Sequence, residues 1–269
     1  MLKLIGVTKW FPRGSVERVV ALNNIDFKVN PSDFITIIGS NGAGKSTLLN
    51  LIAGVHFPDS GKLMFDNKDI TRLAEYRRSM YMGRVYQDPM MGTASMMSVE
   101  ENMAMAMLRG RRRGLGQGVN TQLREQFREA LAPLGLGLEN RLKHNVGTLS
   151  GGQRQTLAIV MATISKPALL LLDEHTASLD PKTGRTILEL TEQVVSQGKI
   201  TTLMVTHNME QALRLGNRLI VMDAGDIIVD LQAEQKSRLT VSDLVEQFEH
   251  ASGKRFVDDS LLLRRKGED

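Results

Sequence analysis

The sequence lacks cysteine and long apolar runs, and only 4% of its residues are aromatic. The absence of cysteine from all 269 residues excludes disulfide bonds and thiolate metal sites. No apolar stretch approaches the roughly 18 residues that a membrane-spanning helix needs, so we expect a chain that does not cross a bilayer by itself. The first six residues lack the apolar core and cleavage pattern of a secretory signal, so no such signal is expected.

The excess of positive over negative charge is also small, because the formal net charge is only +4 at pH 7. This balance allows an anionic ligand but does not indicate nucleic acid. The run Arg109–Arg113 is strongly basic, yet no aromatic residues alternate with it as stacking platforms. A solvated loop is therefore favoured over a nucleic-acid patch, and contact with anionic lipid headgroups is a third interpretation.

Apolar patterning predicts an α/β fold with a mostly parallel sheet. Residues 1–30 alternate apolar and polar positions, which predicts an N-terminal antiparallel β subdomain. From Ser150 onward strands and helices alternate, which is typical of a parallel sheet with helices on both faces. Residues from about 88 to 155 are rich in methionine and show helical periodicity, so we expect an inserted α-helical subdomain there.

A glycine-rich loop follows the compact apolar strand predicted at residues 34–38. Its glycines let successive backbone N–H groups point at an anion, ahead of a helix N-terminus. Lys45 is placed to reach the β- and γ-phosphates of a nucleotide, and the Ser46 hydroxyl to bind Mg²⁺. A plain glycine-rich turn is disfavoured because an apolar strand and an apolar helix flank the loop. The predicted nucleotide-binding residues are Gly39, Ser40, Asn41, Gly42, Ala43, Gly44, Lys45, Ser46 and Thr47.

Two further motifs supply what a phosphate loop lacks. An apolar strand at 169–172 ends in Asp173 and Glu174, of which Asp173 can hold a metal ion and Glu174 can polarise water as a general base. Alone this pattern is weak, since buried strands often end in acidic residues. A second glycine-rich turn precedes a predicted helix at 153–164 and forms another anion-binding helix start; it consists of Ser150, Gly151, Gly152 and Gln153.

These motifs, in this order and spacing, resemble the ATP-binding-cassette ATPases over about residues 1–230. The resemblance implies a phosphate-loop NTPase core with ATP and Mg²⁺ as cofactors. It assigns Mg²⁺ to Ser46, Gln87 and Asp173, and the γ-phosphate contact to His207. Residues 231–269 are then a C-terminal tail. One helix is expected in it near Val241–Phe248, started by Thr240 with Asp243 three residues on.

Other site residues are also implied by the resemblance. Asp180 lies in the family's aspartate loop, Gln87 in its glutamine loop, and Phe11 aligns best as the aromatic residue that stacks on adenine. His175 stands where most members carry proline. Tolerated loop variation and an altered hydrolysis rate are both compatible with that departure.

The resemblance further implies partners and a location. The glycine-rich turn that begins at Ser150 is expected to serve the nucleotide of a second copy in a head-to-tail dimer. Transmembrane permease subunits, and indirectly an extracytoplasmic solute-binding protein, are the other expected partners. The chain is expected at the cytoplasmic face of the inner membrane as a peripheral protein, without nucleic acid.

Several functions share such an ATPase. Only about a hundred residues separate Lys45 from Ser150, which leaves no room for the coiled coil of the DNA-repair class. An importer subunit is favoured over a soluble ATPase of the iron–sulfur-assembly type, over a nucleotide-dependent regulatory module and over an exporter or lipoprotein-release ATPase. The strings at 173–176 and 204–209 resemble a bacterial branch found with importers, some of which handle aromatic amino acids.

Methionine is concentrated in one segment, because nine of the 15 methionines lie between Met80 and Met107. Methionine fills irregular gaps in helical cores, and it also lines deformable grooves that accept a partner helix. In transporter ATPases the stretch after the glutamine loop is where membrane subunits dock. Both interpretations stay open at this stage.

Overall fold

The structure is a computed structural model that describes residues 1–13, 17–110 and 118–253. The strands are β1 (Leu2–Arg13), β2 (Glu17–Val29), β3 (Phe34–Gly39), β4 (Ser60–Phe65), β5 (Lys68–Asp69), β6 (Met82–Val85), β7 (Leu169–Asp173), β8 (Thr201–Val205), β9 (Arg218–Asp223) and β10 (Asp226–Gln232). The α-helices are α1 (Lys45–Ala53), α2 (Glu75–Arg78), α3 (Val99–Met107), α4 (Thr121–Leu131), α5 (Gly151–Thr163), α6 (Pro181–Gly198), α7 (Met209–Arg214), α8 (Ala233–Lys236) and α9 (Val241–Ser252). Short 3-10 helices cover Pro89–Gly92, Ala132–Leu134, Leu138–Asn140 and Val146–Thr148.

The chain divides into two compact units. The first unit comprises Met1–Ala74 and Leu203–Asp269, and the second comprises Glu75–Thr202. The division falls inside β8. The part of the basic run at 111–113, and residues 254–269 of the tail, lie outside the described residues.

An antiparallel sheet opens the first unit, with the strand order β2-β1-β4-β5. Leu2 of β1 faces Val29 of β2 on one side and Phe65 of β4 on the other. Leu2 and Leu4 are buried, as the alternation of apolar residues requires for a sheet with one covered face. The predicted N-terminal antiparallel subdomain is confirmed.

The first unit also contains strands in the order β10-β9-β3-β8. Strand β3 runs parallel to β9, with Ile37 opposite Ile220, and β10 is antiparallel to β9. Almost every residue of β3, β8 and β9 is buried, which is why these strands read as continuous apolar runs rather than alternating ones.

The second unit combines a parallel strand pair with a helical cluster. Strand β6 pairs with β7, with Val85 opposite Leu172, so the predicted mostly parallel sheet is confirmed. Helices α3, α4 and α5 share a core that includes Met103, Phe127 and Leu157. Most of these helical residues lie in the segment predicted as an insertion, whose limits of about 88 and 155 remain a prediction. Among the described residues, no helix is long and apolar enough to cross a bilayer.

Helix α9 joins the start of the tail to the core of the first unit. Its N-cap is Thr240, whose side chain accepts from the Asp243 N–H while the Asp243 carboxylate accepts from the Thr240 N–H. Leu244 and Phe248 are buried in a cluster with Met209 of α7. The described part of the tail therefore packs as core rather than as an appendage.

Lys236 fastens the same region through its buried ammonium group. Its Nζ donates to the carbonyl oxygens of Leu215 and Gly216, at the C-terminal end of α7. Burial lowers the pKa of Lys236 to about 8. The two carbonyls receive a charged donor at the negative end of the helix, which is a favourable place for a cation.

Replacing Phe248 with alanine should destabilise the protein strongly. The ring is 2% exposed, so the substitution removes buried apolar surface and leaves a cavity, at a cost of about 3–5 kcal/mol. Urea denaturation measures this change in the free energy of unfolding. The matched control is Glu246→Ala, an exposed position on the same helix, for which we expect a change below about 0.5 kcal/mol. Equal effects of the two substitutions would contradict the packing of α9.

Candidate active site

The predicted phosphate loop connects β3 to α1. Lys45 is 7% exposed, and its Nζ donates to the carbonyl oxygens of Gly39 at 2.8 Å and Ser40 at 3.0 Å. The Ser40 hydroxyl in turn donates to Asp223 Oδ1 at 2.7 Å, at the end of β9. The lysine side chain is therefore folded over its own loop, where its charge faces the space enclosed by the backbone.

Glycine is required in this loop where backbone from another strand comes close. Gly44 has φ +101°, and a Cβ there would lie 2.3 Å from the Ala21 carbonyl oxygen of β2. Gly42 has φ +82°, but a Cβ there would have no atom within 4 Å. The first position excludes a side chain by contact and by conformation, and the second by conformation alone.

His207 lies at the same sheet edge as the loop. Strand β8 is next to β3, and the Thr206 N–H donates to the Ile37 carbonyl at 3.1 Å. His207 follows Thr206 directly and is exposed. Asn208 then caps α7 by accepting from the Gln211 N–H at 2.9 Å. The structure thus brings the histidine and the phosphate loop, predicted from distant parts of the sequence, to one edge.

Phe11 lies in β1, in the same unit. Its ring meets the ring of His56 edge to face, with centroids 5.3 Å apart, and Lys9 Nζ lies 5.2 Å from its centroid. Trp10 instead stacks against Arg18, whose guanidinium carbon lies 4.0 Å from the centroid of the indole ring. The two neighbouring aromatic residues therefore have different environments, as alternation along a strand requires.

In the second unit, Asp173 and Gln87 follow adjacent parallel strands. Asp173 ends β7, one residue after Leu172, and Gln87 comes two residues after Val85, the partner of Leu172 in β6. The carboxyl ends of parallel strands meet at one edge, where ligands bind in open α/β sheets. A carboxylate and a side-chain amide thus lie at the same edge.

Arg84 is a neighbour of this edge that the sequence reasoning missed. Its guanidinium nitrogen lies 3.6 Å from Asp173 Oδ2, and its side chain also covers the ring of Tyr86 at 4.5 Å. Burial raises the pKa of Tyr86, and the nearby Arg84 charge partly opposes that change. The available signal was the alternation of Arg84 and Tyr86 on one face of the strand before Gln87.

Glu174 begins the loop between β7 and α6, with a left-handed backbone at φ +44°. Its carbonyl accepts from the Ala177 N–H at 3.0 Å, which closes a turn. The Ser178 hydroxyl approaches the Gln87 carbonyl at 3.5 Å. The loop that follows Glu174 therefore touches the backbone of the predicted glutamine loop.

Asp180 and Ser150 cap the two helices of this part of the site. Asp180 accepts from the Thr183 N–H at 3.0 Å at the start of α6, and this bond holds the pKa of its carboxyl below the usual value. Ser150 caps α5, accepting from the Gln153 N–H at 3.2 Å, and the Gln153 side chain accepts from the Ser150 N–H at 3.2 Å.

The structure brings these two caps together around one cavity. Its volume is about 550 Å³, and its lining includes Ser150–Gln153 and Ser178–Asp180. Gly152 lies so close to α6 that a Cβ there would be 2.6 Å from Thr183 Cγ2. The second glycine-rich turn and the predicted aspartate loop therefore form one concave surface, of a size typical of ligand sites.

The chain is similar to known proteins over most of its length. A family model described as ABC transporter matches residues 22–177. The chain is 41% identical over 251 residues to the tyrosine transport ATP-binding protein of Clostridioides difficile (strain R20291), which covers 93% of this chain and 100% of that protein. It is 34% identical over 226 residues to the lipoprotein-releasing system ATP-binding protein of Coxiella burnetii (strain RSA 493 / Nine Mile phase I), covering 82% of this chain and 92% of that one.

A solved structure has the same fold. It is a dimeric ATP-binding cassette in a post-hydrolysis state, bound to ADP and Pi. The TM-score is 0.74 at 30% identity, and the match covers 87% of this chain and 99% of the other.

Alanine at Gly44 should destabilise the protein far more than alanine at Gly42. Both positions have positive φ, which costs an alanine roughly 1–2 kcal/mol. Only Gly44 adds a collision with the Ala21 carbonyl, so its total should exceed about 3 kcal/mol. Denaturant unfolding of the two variants measures the difference. Equal losses would show that the close approach of β2 to the loop is wrong.

Proposed function

The chain belongs to the ABC transporter family and is an ATP-binding-cassette ATPase, and we propose that it energises import of a small solute, an amino acid. The observation that carries this proposal is the 41% identity, over the full length of the relative, to a tyrosine transport ATP-binding protein. An ATPase subunit supplies energy rather than a passage, so this function requires separate subunits that carry the solute across the membrane. We therefore propose that the chain lies at the cytoplasmic face of the inner membrane and binds permease subunits. An extracytoplasmic solute-binding protein delivers the solute to those subunits.

We propose that Lys45 binds the β- and γ-phosphates of ATP. Its ammonium already points into the curl of the loop, on the carbonyl oxygens of Gly39 and Ser40. Phosphate oxygens accept stronger, charge-assisted hydrogen bonds than neutral carbonyls do. We therefore expect the Lys45 ammonium to exchange these two carbonyl oxygens for phosphate oxygens when the nucleotide binds. His207 contacts the γ-phosphate in this proposal, and Phe11 stacks on the adenine.

The residues assigned to Mg²⁺ fit that ion chemically. Asp173, Ser46 and Gln87 offer a carboxylate, a hydroxyl and an amide oxygen, which are the hard oxygen ligands that Mg²⁺ prefers. When bound, the ion would neutralise negative charge on the transferring phosphate. The Arg84 guanidinium lies 3.6 Å from the Asp173 carboxylate and would help to orient it toward the ion. Glu174 polarises the attacking water as the general base.

We also propose that ATP drives a head-to-tail dimer. The concave surface formed by Ser150–Gln153 and Ser178–Asp180 presents the backbone start of α5 to an anion, which supports a phosphate of the second copy as its ligand. In that arrangement the Ser150 hydroxyl serves the nucleotide of the partner. The similar solved cassette is a dimer bound to ADP and Pi, which supports a nucleotide-linked dimer as the proposal for this chain.

Docking on the membrane subunits is assigned to the segment after Gln87. Met91 and Met96 are 71% and 84% exposed, whereas Met103 is fully buried. The methionine-rich segment is therefore compatible with both interpretations of the sequence. Some of its methionines fill the helical core, and others form an exposed apolar surface. Exposed flexible methionines suit a surface that accepts an apolar helix from a partner.

A second candidate function is lipoprotein release, which the 34% identity to the Coxiella burnetii protein supports. It uses the same ATPase and the same dimer but a different cargo. The importer is favoured because the match to the tyrosine transport protein is closer and covers more of this chain.

Replacing Glu174 with glutamine should stop hydrolysis but keep ATP binding. The amide cannot accept the proton of water, while the phosphate loop is untouched. Gel filtration with Mg-ATP should then show a stable dimer, and cells carrying only this variant should lose uptake of labelled tyrosine and phenylalanine. A monomer with normal turnover would remove Glu174 from the base role.

The control for this variant is Lys45→Ala, which should weaken nucleotide binding itself and give no dimer. Cells distinguish the two candidate cargos. Unchanged amino-acid uptake together with lipoproteins retained in the inner membrane would replace the importer by the lipoprotein-release function.

Replacing Met96 with glutamate should prevent assembly with the permease without affecting ATP binding. A carboxylate buried without a partner in an apolar interface is costly. Co-purification from solubilised membranes measures assembly, and a fluorescent ATP analogue measures binding by the isolated chain. Met97 is less exposed than Met96, so charge at 97 tests folding as well as docking.

Two controls sharpen the Met96 experiment. Met96→Leu keeps an apolar side chain and should assemble normally. Met80→Glu places the same charge at a methionine that is 55% exposed but precedes Gln87, so it should also assemble. Normal assembly and uptake with Met96→Glu would exclude this segment as the docking site.

A further inference from the structure

His175 is a buried polar residue next to the proposed base. Its side chain is 1% exposed, although it lies in the loop between β7 and α6. From the sequence, both tolerated variation and an altered hydrolysis rate are compatible with a histidine at a position where most ABC ATPases carry proline. The structure shows instead that the imidazole is packed inside the second unit, with a specific partner.

That partner is Thr191, in the middle of α6. His175 Nε2 lies 3.2 Å from Thr191 Oγ1, and Thr191 Oγ1 lies 2.7 Å from the carbonyl oxygen of Ile187. A threonine hydroxyl has one proton, and a carbonyl can only accept, so that proton points at Ile187. Thr191 therefore accepts from His175, which places a ring proton on Nε2.

This hydrogen bond fastens the loop directly after a strained residue. Glu174 has φ +44°, a region that a non-glycine residue occupies only when its surroundings hold it there. The turn from Glu174 to Ala177 restrains the loop on one side. The bond from His175 Nε2 to Thr191 Oγ1 joins the next residue to α6, because the same hydroxyl is bonded to the Ile187 carbonyl of that helix. Together these contacts fix the direction in which the Glu174 side chain leaves the backbone.

We propose that His175 is a positioning residue for Glu174, acting through its hydrogen bond to Thr191. The inference rests on the proposed role of Glu174 as general base. A proline would restrict the loop through its ring, whereas this chain restricts it through a buried donor and acceptor. His175 does not touch the nucleotide or the water; it acts only on the residue before it.

The test compares Thr191→Val with Thr191→Ser. Valine has almost the shape of threonine but no acceptor, and serine keeps the hydroxyl. We expect Thr191→Val to lower kcat for ATP hydrolysis by roughly tenfold or more, since small displacements of a catalytic group have large effects on rate. KM and the affinity for a fluorescent ATP analogue should stay within about twofold. Thr191→Ser should keep kcat near the original value.

Two further measurements separate positioning from mere stability. His175→Phe fills the site without a donor and should lower kcat as Thr191→Val does, and the double variant should be no worse than either single one, because both remove the same bond. All assays are run at least ten degrees below the unfolding midpoint of each variant. The ¹⁵N resonances of the His175 ring should report the proton on Nε2 in the unmodified protein.

The outcomes distinguish this inference from the function on which it rests. If Glu174→Gln abolishes hydrolysis while Thr191→Val and His175→Phe only lower the unfolding midpoint, the positioning role is overturned and the base remains. A ring that carries no proton on Nε2 would overturn it as well. If Glu174→Gln keeps hydrolysis, the base assignment fails and the positioning role fails with it.

Discussion

Two neighbouring strands approach the phosphate loop so closely that side chains do not fit at two of its glycines. A Cβ at Gly39 would lie 2.1 Å from the carbonyl oxygen of Met222 on β9, and one at Gly44 would lie 2.3 Å from that of Ala21 on β2. The loop is therefore held between two backbones, and its curl is set by the sheets of the first unit. The constrained backbone in turn positions Lys45 and the start of α1, and it sets the direction of the loop amides.

The second unit uses strand pairing for the same purpose. Because β6 and β7 are parallel and in register, Gln87 and Asp173 reach the same edge of the strand pair. Arg84, two residues before Tyr86, then supplies a positive charge to Asp173. Side chains that act together chemically thus come from adjacent strands, while the rigid hydrogen-bonded ladder does the positioning.

Much of this architecture could be predicted from the sequence because it depends on local patterns. The buried strands appear as apolar runs, and the helix starts at Ser150 and Thr240 appear as capping patterns. The contacts of Arg84 with Asp173, and of His175 with Thr191, could not be predicted in the same way. They join residues that are far apart along the chain or on opposite sides of a loop, so they depend on register and packing, which periodicity does not reveal.

Helix α9 has a consequence for how this chain can change over time. Leu244 and Phe248 pack on Met209, one residue after the Asn208 cap and two after His207. Because both side chains are buried beside the segment that carries His207, we expect selection on the ATPase to act on the tail, and substitutions at these two positions to be tolerated no better than those in a central strand. The region under this constraint extends through α9 to its C-cap at Gly253.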